Sequence, residues 1–439
     1  MAHPRYIRWL YEELPDLVSR GIINQEQATH IRAHYGGVEA KPAINIGFLV
    51  ASILGALLVG SGIILIFAYN WEDLSHTART ILSFAPVISA QILFGYAYFY
   101  RHGDLAWTEG TSAFLMLMLA ASIALVSQTY HIWGEPETFL WNWLLLSVPL
   151  IYLLNSSLVS IIYLIGITSW TMQVRGSDSV WYWFLLALVI PHFIYNWRRK
   201  IQIVRRYALG WALALTFIFG WFGTIETHLA EFSLLGTMLI ISGFYALGRI
   251  IYPNRTQSFI TRPFQTFAVI TGFIYLLILT YDDIKVPDFE PDSLILGHYY
   301  AYWAGITNIV ILILIIGAYI YLLLHHFQKR NIVDHFATLL PFFGFLVIII
   351  HRLDNQEFGI LLANVYLLAW GIFYLINGIQ ERRMPWVNIG MFFILALVTV
   401  RFFDTNWSPL VKGVIFILLG IGFLASNIIL SRRLKLKSS

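Results

Sequence analysis

Cysteine is absent from all 439 residues. This excludes disulfides, thiolate metal sites, thioesters and covalent haem attachment, and leaves the compartment open. Charge is also scarce, at 12% of the chain, and the long apolar runs carry no Asp, Glu, Lys or Arg near their centres. Proton- or sodium-coupled carriers usually keep an ionisable group at depth, so a simple carboxylate-coupled pump is disfavoured. No phosphate loop, dinucleotide fingerprint or serine-nucleophile elbow is present, which removes the sequence basis for an ATPase or hydrolase domain. His76, His131, His228, His298 and His351 show no H-x-x-x-H spacing among themselves, so neither a metal nor a cofactor is expected.

What the chain has in excess is apolar surface. Hydrophobic residues make up 58% of it and the mean hydropathy is +0.70, more than a soluble domain of this size can bury. The expected fold is all-α: a polytopic membrane helix bundle. A bilayer core takes about 20 apolar residues per helix, and windows of that size give about fourteen spans, or twelve if the short pair 138–155 and 157–172 does not cross. The remaining spans are expected near 44–69, 79–100, 110–130, 180–197, 207–225, 232–252, 264–281, 299–324, 335–350, 358–378, 385–403 and 409–430. Residues 1–43 read as a cytoplasmic helical hairpin, 44–430 as the membrane domain and 431–439 as a basic cytoplasmic tail.

Charge orients the spans. With the N-terminus inside, alternate gaps hold 22 of the 28 basic residues, and 15 of the 24 acidic residues fall in the other gaps. Lys and Arg stay cytoplasmic, so both termini are placed inside. The net charge of +4 then reflects juxtamembrane anchoring, and no nucleic-acid partner is expected. Trp71, Trp133, Trp141, Trp143, Trp181 and Trp407 fall near span ends, where an interfacial belt would hold them.

In the hairpin, Ile7, Leu10, Tyr11, Leu14, Leu17 and Val18 follow helical spacing, Gly21 is a stop, and Asn24 with Gln27 resembles a capping box. Pro15 leaves the continuity of the first helix open. Small residues at Gly47, Ala51 and Gly55, and again at Ser52, Ala56 and Gly60, would let a neighbouring helix approach the first span. Gly413, Gly420, Gly422 and Ser426 form a weaker version in the last. Gln91, Asn308 and Asn364 lie at depth and each needs a partner there.

The richest chemistry falls at the predicted outer mouth. The residues are Asn70, Trp71, Glu72 and Asp73 after the first span, Gln128, Tyr130 and His131 after the third, and Arg401, Asp404 and Asn406 after the thirteenth. Arg401 and Asp404 sit three apart on a helix and can pair. His131 has the chemistry for acid–base work with Glu72 or Asp73, with Asp404 to orient it. Together these residues form a candidate substrate pocket.

Several stretches are familiar as a set: Gly21-Ile22-Ile23 with Gln25-Glu26-Gln27-Ala28, Phe67-Ala68-Tyr69-Asn70-Trp71, Ser127-Gln128-Thr129-Tyr130-His131 ahead of Trp141 and Pro149, and Arg401-Phe402-Phe403-Asp404. The chain resembles the bacterial predicted-membrane-protein family called domain of unknown function 2157. The resemblance implies a multi-pass inner-membrane protein and no assigned activity. The leading functional expectation is a transporter-like or lipid-handling protein. Its partners would be membrane lipid, an amphipathic or polar small molecule at the outer pocket, and a protein at the N-terminal hairpin. Alternatives are an outer-face enzyme acting on a lipid-linked substrate, glycosyltransferase-like, and a membrane sensor or scaffold.

Overall fold

The computed structural model describes residues 4–35, 71, 73–132, 134–174, 179–199, 203–225, 233–252, 259–280, 299–326, 336–353, 356–404 and scattered positions of 410–424. Among them there are fifteen α-helices, a 3₁₀ turn at Phe259–Thr261 and no strand. The chain is a helical membrane protein. Among the described residues, six helices are long and apolar enough to cross a bilayer: His76–Tyr100, Leu105–Thr129, Arg205–Thr224, Ser233–Ile251, Glu357–Gln380 and Met384–Phe402. The expected span 44–69 lies outside the described residues. The chain divides into two compact units, Met1–Arg79 and Thr80–Ser439.

The first unit contains α1 (Pro4–Ser19) and α2 (Gln25–Tyr35). Helix α1 runs unbroken past Pro15. It stops at Gly21, whose φ of 70° is the left-handed conformation glycine adopts without a Cβ penalty. The capping box forms reciprocally: Gln27 N donates to Asn24 Oδ1 at 2.8 Å and Asn24 N to Gln27 Oε1 at 2.9 Å. Tyr11 Oη ties the hairpin together by donating to the Arg32 carbonyl at 3.1 Å.

The second unit begins within α3 (His76–Tyr100). It continues through α4 (Leu105–Thr129), α5 (Pro136–Leu153), α6 (Ser157–Gln173), α7 (Trp181–Ala187), α8 (Ile190–Arg198), α9 (Ile203–Ile225), α10 (Ser233–Ile251), α11 (Pro263–Ile278), α12 (Tyr299–His326), α13 (Leu340–Arg352), α14 (Gln356–Gln380) and α15 (Met384–Asp404). Helices α4, α5, α6 and α9 surround one core, in which Leu144, Tyr163, Leu164, Ile167 and Tyr182 are fully buried. Helices α10, α11, α13, α14 and α15 surround another, centred on Met238, Leu276, Leu367 and Trp370. Helices α14 and α15 approach to backbone contact: a Cβ on Gly390 would lie 2.6 Å from the Gly371 carbonyl, and one on Gly378 would lie 2.6 Å from Val387 N. This seam is the close small-residue packing expected of membrane helices, in a place the sequence reading did not single out. At Gly413, Gly420 and Gly422 an added Cβ meets nothing within 4 Å among the described residues.

Two expected spans are broken. The span read as 180–197 divides into α7 and α8 at Leu188 and Val189, ahead of Pro191. The one read as 335–350 bends at Leu339, ahead of Pro341. Proline has no N–H and its ring displaces the carbonyl four residues back, so backbone acceptors are freed at each break. Neighbouring helices supply the donors. At the first break Tyr152 donates to the Leu188 carbonyl, and Tyr163 to the Leu185 carbonyl at 3.2 Å. At the second, Ser242 Oγ donates to the Ala337 carbonyl at 2.8 Å, Tyr366 to that of Phe336 at 2.5 Å, and Tyr319 to that of Thr338. Irregular backbone is tolerated in such a bundle because its acceptors are satisfied within the protein.

The tryptophan belt is only partly present. Trp181 is half exposed, but Trp71 and Trp143 are buried, and Trp143 Nε1 donates to the Met116 carbonyl at 2.8 Å. An indole near a span end can serve the interior as well as the interface, because its N–H needs an acceptor wherever it is buried. Trp133 and Trp407 lie outside the described residues.

Candidate functional site

The sequence-predicted pocket residues divide as follows. Asn70, Glu72 and Asn406 lie outside the described residues, as does the side chain of Asp404, whose backbone ends α15. Trp71 and Asp73 belong to the first unit, where Asp73 is exposed. Gln128, Tyr130 and His131 close α4 in the second unit, and all three are exposed. Tyr130 Oη hydrogen-bonds Thr80 Oγ1 at 3.1 Å, next to a Ser83–Thr129 bond of the same length that ties α3 to the end of α4. His131 has φ 53° and occupies the left-handed position just past the helix. The stop is completed by Ile132 N donating to the Ser127 carbonyl at 2.9 Å and by Ser127 Oγ donating to the Ile132 carbonyl at 2.6 Å. That is a Schellman-type stop with histidine in the usual glycine place.

A cavity of about 410 Å³ adjoins this stop, between α3, α4 and the start of α5. Ser122, Ser127, Ile132, Glu135 and Asn142 are among its lining residues, whereas Gln128, Tyr130 and His131 are not.

Arg401 meets partners that its spacing did not suggest, and its expected pairing with Asp404 lies outside the described residues. Its Nε donates to Asn364 Oδ1 at 3.1 Å, and a terminal nitrogen donates to the Thr280 carbonyl just past α11. The arginine thus caps the carbonyl end of one helix, where the dipole favours a cation, while satisfying the amide of another. Asn364 and Arg401 were both legible as residues needing a partner. Their meeting was not.

A second polar junction joins α4, α6, α8 and α9. Glu109 pairs with Arg205 at 2.7 Å, each side chain only 15% exposed. The carboxylate also accepts from Ser156 Oγ at 2.5 Å, Ser157 N at 3.1 Å and Leu158 N at 2.8 Å, so it closes the N-terminus of α6. Arg205 reaches Ser157 Oγ at 3.1 Å and the Asn155 carbonyl. Asn155 continues through Asn196 at 3.4 Å to His192 at 2.8 Å. Every position on Glu109 is filled from within the chain, which makes the junction a structural lock.

A cavity of about 660 Å³ lies between α10, α11, α14 and α15. One end is polar: Arg249, Arg262, Gln265 and Asn388 line it, with no carboxylate among the described lining residues. The other end and the flank are apolar, formed by Val269, Ile270, Phe273, Ile274, Phe392 and Phe393. The flank opens sideways, since Ile270, Ile274 and Phe392 are 48%, 47% and 58% exposed. Sequence reasoning missed this site because its residues come from four helices and carry no local motif.

Local geometry explains the polar end. Gly248 lets the start of α11 lie against α10: an added Cβ would sit 2.6 Å from Gln265 Cγ and 2.8 Å from Gln265 N. Gln265 is thereby held 5% exposed and Arg262 6% exposed. Arg262 Nε, Gln265 Nε2 and Gln265 Oε1 have no hydrogen-bond partner among the described residues. Leaving such groups unsatisfied costs about 1–3 kcal/mol each. The Arg262 guanidinium lies 5.7 Å from the Phe259 ring centroid, and that of Arg383 5.4 Å from the Trp386 centroid. Burial, together with the Arg249 and Arg383 charges, lowers the Arg262 pKa from its ordinary value. The Arg383 guanidinium has a carboxylate at Glu381, 3.5 Å away.

No curated protein and no solved structure matches the chain. Residues 15–160 match the family model described as predicted membrane protein, DUF2157. The match runs from α1 to the start of α6, carries the residues on which the resemblance was drawn up to Pro149, and ends well before the large cavity.

Proposed function

We propose that the protein handles lipid, taking an amphiphile from the bilayer into the cavity between α10, α11, α14 and α15. One observation carries this reading: the cavity is cationic at one end, aromatic and aliphatic along its length, and open at the flank that spanning helices turn toward lipid. Its volume lies in the usual range of small-molecule sites. A carrier of small polar solutes would instead need a polar lining along the path, whereas the charged groups here gather at one end. In the orientation expected from the charge pattern that end faces the cytoplasm, opposite the mouth where the sequence placed its candidate pocket.

Photocrosslinking tests the reading. The protein is reconstituted in phosphatidylcholine and phosphatidylglycerol vesicles containing a lipid with a diazirine on its acyl chain. Adducts are expected to concentrate on peptides carrying Phe273, Ile274, Phe392 and Phe393, well above the exposed α3 residues Ile81 and Ile88. Labelling no greater than on α3 would mean the cavity wall is ordinary lipid-facing surface, and the reading would fail.

A further inference from the structure

The polar end of the large cavity is more specific than amphiphile binding requires. Two arginines, Arg249 and Arg262, line it, and Arg383, beside Glu381, adds its charge to the field at Arg262. A hydrogen-bond donor on Arg262 and both a donor and an acceptor on Gln265 are buried and unmatched among the described residues. Helix α11 begins at this point with no side-chain cap, so its positive end adds to the field.

Each feature selects for part of a ligand. Guanidinium groups away from bulk water recognise phosphate through planar, charge-assisted hydrogen bonds. Gln265 Nε2 supplies a further donor. Gln265 Oε1 accepts only, so it calls for a hydroxyl or amine hydrogen on the same head group. Basic pockets between spanning helices on the cytoplasmic side are a known mode of anionic-lipid recognition. Resting on the lipid-binding reading above, we infer that the cavity selects an anionic phospholipid with a hydroxyl-bearing head group. Its phosphate would lie against Arg262 and Gln265 Nε2, its hydroxyl on Gln265 Oε1, and its chain along Phe273, Ile274 and Phe392.

The test uses full-length protein stripped of lipid in mild detergent. It is then given an equimolar mixture of dioleoyl phosphatidylglycerol, phosphatidic acid and phosphatidylcholine and examined by native mass spectrometry. The expected order of occupancy is phosphatidylglycerol, then phosphatidic acid, then phosphatidylcholine, with the first about tenfold above the last. Arg262→Gln is expected to reduce phosphatidylglycerol occupancy about tenfold, the scale of one lost charged hydrogen bond. Gln265→Leu removes the unmatched amide, so it should lower occupancy while leaving the thermal midpoint of the lipid-free protein equal or higher. A merely structural glutamine would show the opposite shift in stability.

Equal occupancy by all three lipids would overturn the head-group assignment and leave the lipid-handling reading standing. Retention of none above bulk detergent, together with flat crosslinking, would remove both. Displacement of phosphatidylglycerol by millimolar inorganic phosphate, with phosphate itself retained, would make the site one for a soluble anion and overturn the lipid assignment. Unchanged selectivity in a folded Arg262→Gln protein would place recognition elsewhere.

Discussion

His131 shows that a residue singled out for its side chain can also carry a backbone role. An imidazole beside acidic residues suggests acid–base chemistry, and at φ 53° this histidine holds the position where α4 stops. A side chain with a Cβ costs about 1 kcal/mol there relative to glycine. His131→Gly is therefore expected to raise stability by about that amount, read as a higher midpoint in detergent thermal unfolding. Glu109 makes the converse case. It lay at the edge of an expected span and attracted no attention, because its partners Ser156, Ser157 and Arg205 are 47 to 96 positions away. Glu109→Gln leaves Arg205 largely buried without its counter-charge, and should destabilise the protein by about 3 kcal/mol in the same assay. The Asn24–Gln27 box was legible because both halves lie within one turn. The Arg401–Asn364 and Arg262–Gln265 sites depend on which helices are neighbours, and local sequence does not encode that.

Among elements, helix positions followed from hydropathy, while their continuity did not. A window of about 20 residues sums across a proline and still returns an apolar span. Pro191 and Pro341 were therefore passed over, and the hydroxyls that mend the two breaks were invisible, since they come from other helices. Each such bond contributes about 1 kcal/mol. Ser242→Ala and Tyr366→Phe should each lower stability by about that much. In hydrogen exchange, the added loss of protection should concentrate on the amides following Leu339, with α3 unaffected. A uniform loss across the bundle would show that these bonds do not act locally at the bend.

For the whole molecule, the alternation of charge carried more than any motif. The junction of Glu109, Asn155, Ser157 and Arg205 draws only on residues that the alternation places inside. The same holds for the cluster of Arg249, Arg262 and Arg383, while Arg401 and Thr280 are both placed outside. The cysteine-free chain gives a direct test of the assignment. Single cysteines at Gly103 and Gly134, where a Cβ meets nothing within 4 Å, are expected to react with an impermeant maleimide from opposite sides. In intact cells Gly134→Cys should label and Gly103→Cys should not, and the reverse result would invert the topology. The DUF2157 match covers residues 15–160 and includes none of the residues that line the large cavity.

The glycine seam between α14 and α15 also sets what this molecule can do mechanically. With carbonyl and amide groups of the two helices pressed together at Gly371, Gly378 and Gly390, neither helix can slide or rotate without the other. The pair is one stiff jaw. It carries the Tyr374, Trp386 and Phe393 wall of the cavity, and α10 and α11 carry the facing wall. In the lipid-binding reading, an occupant is then admitted by displacing α10 and α11 from that wall and not by parting α14 from α15.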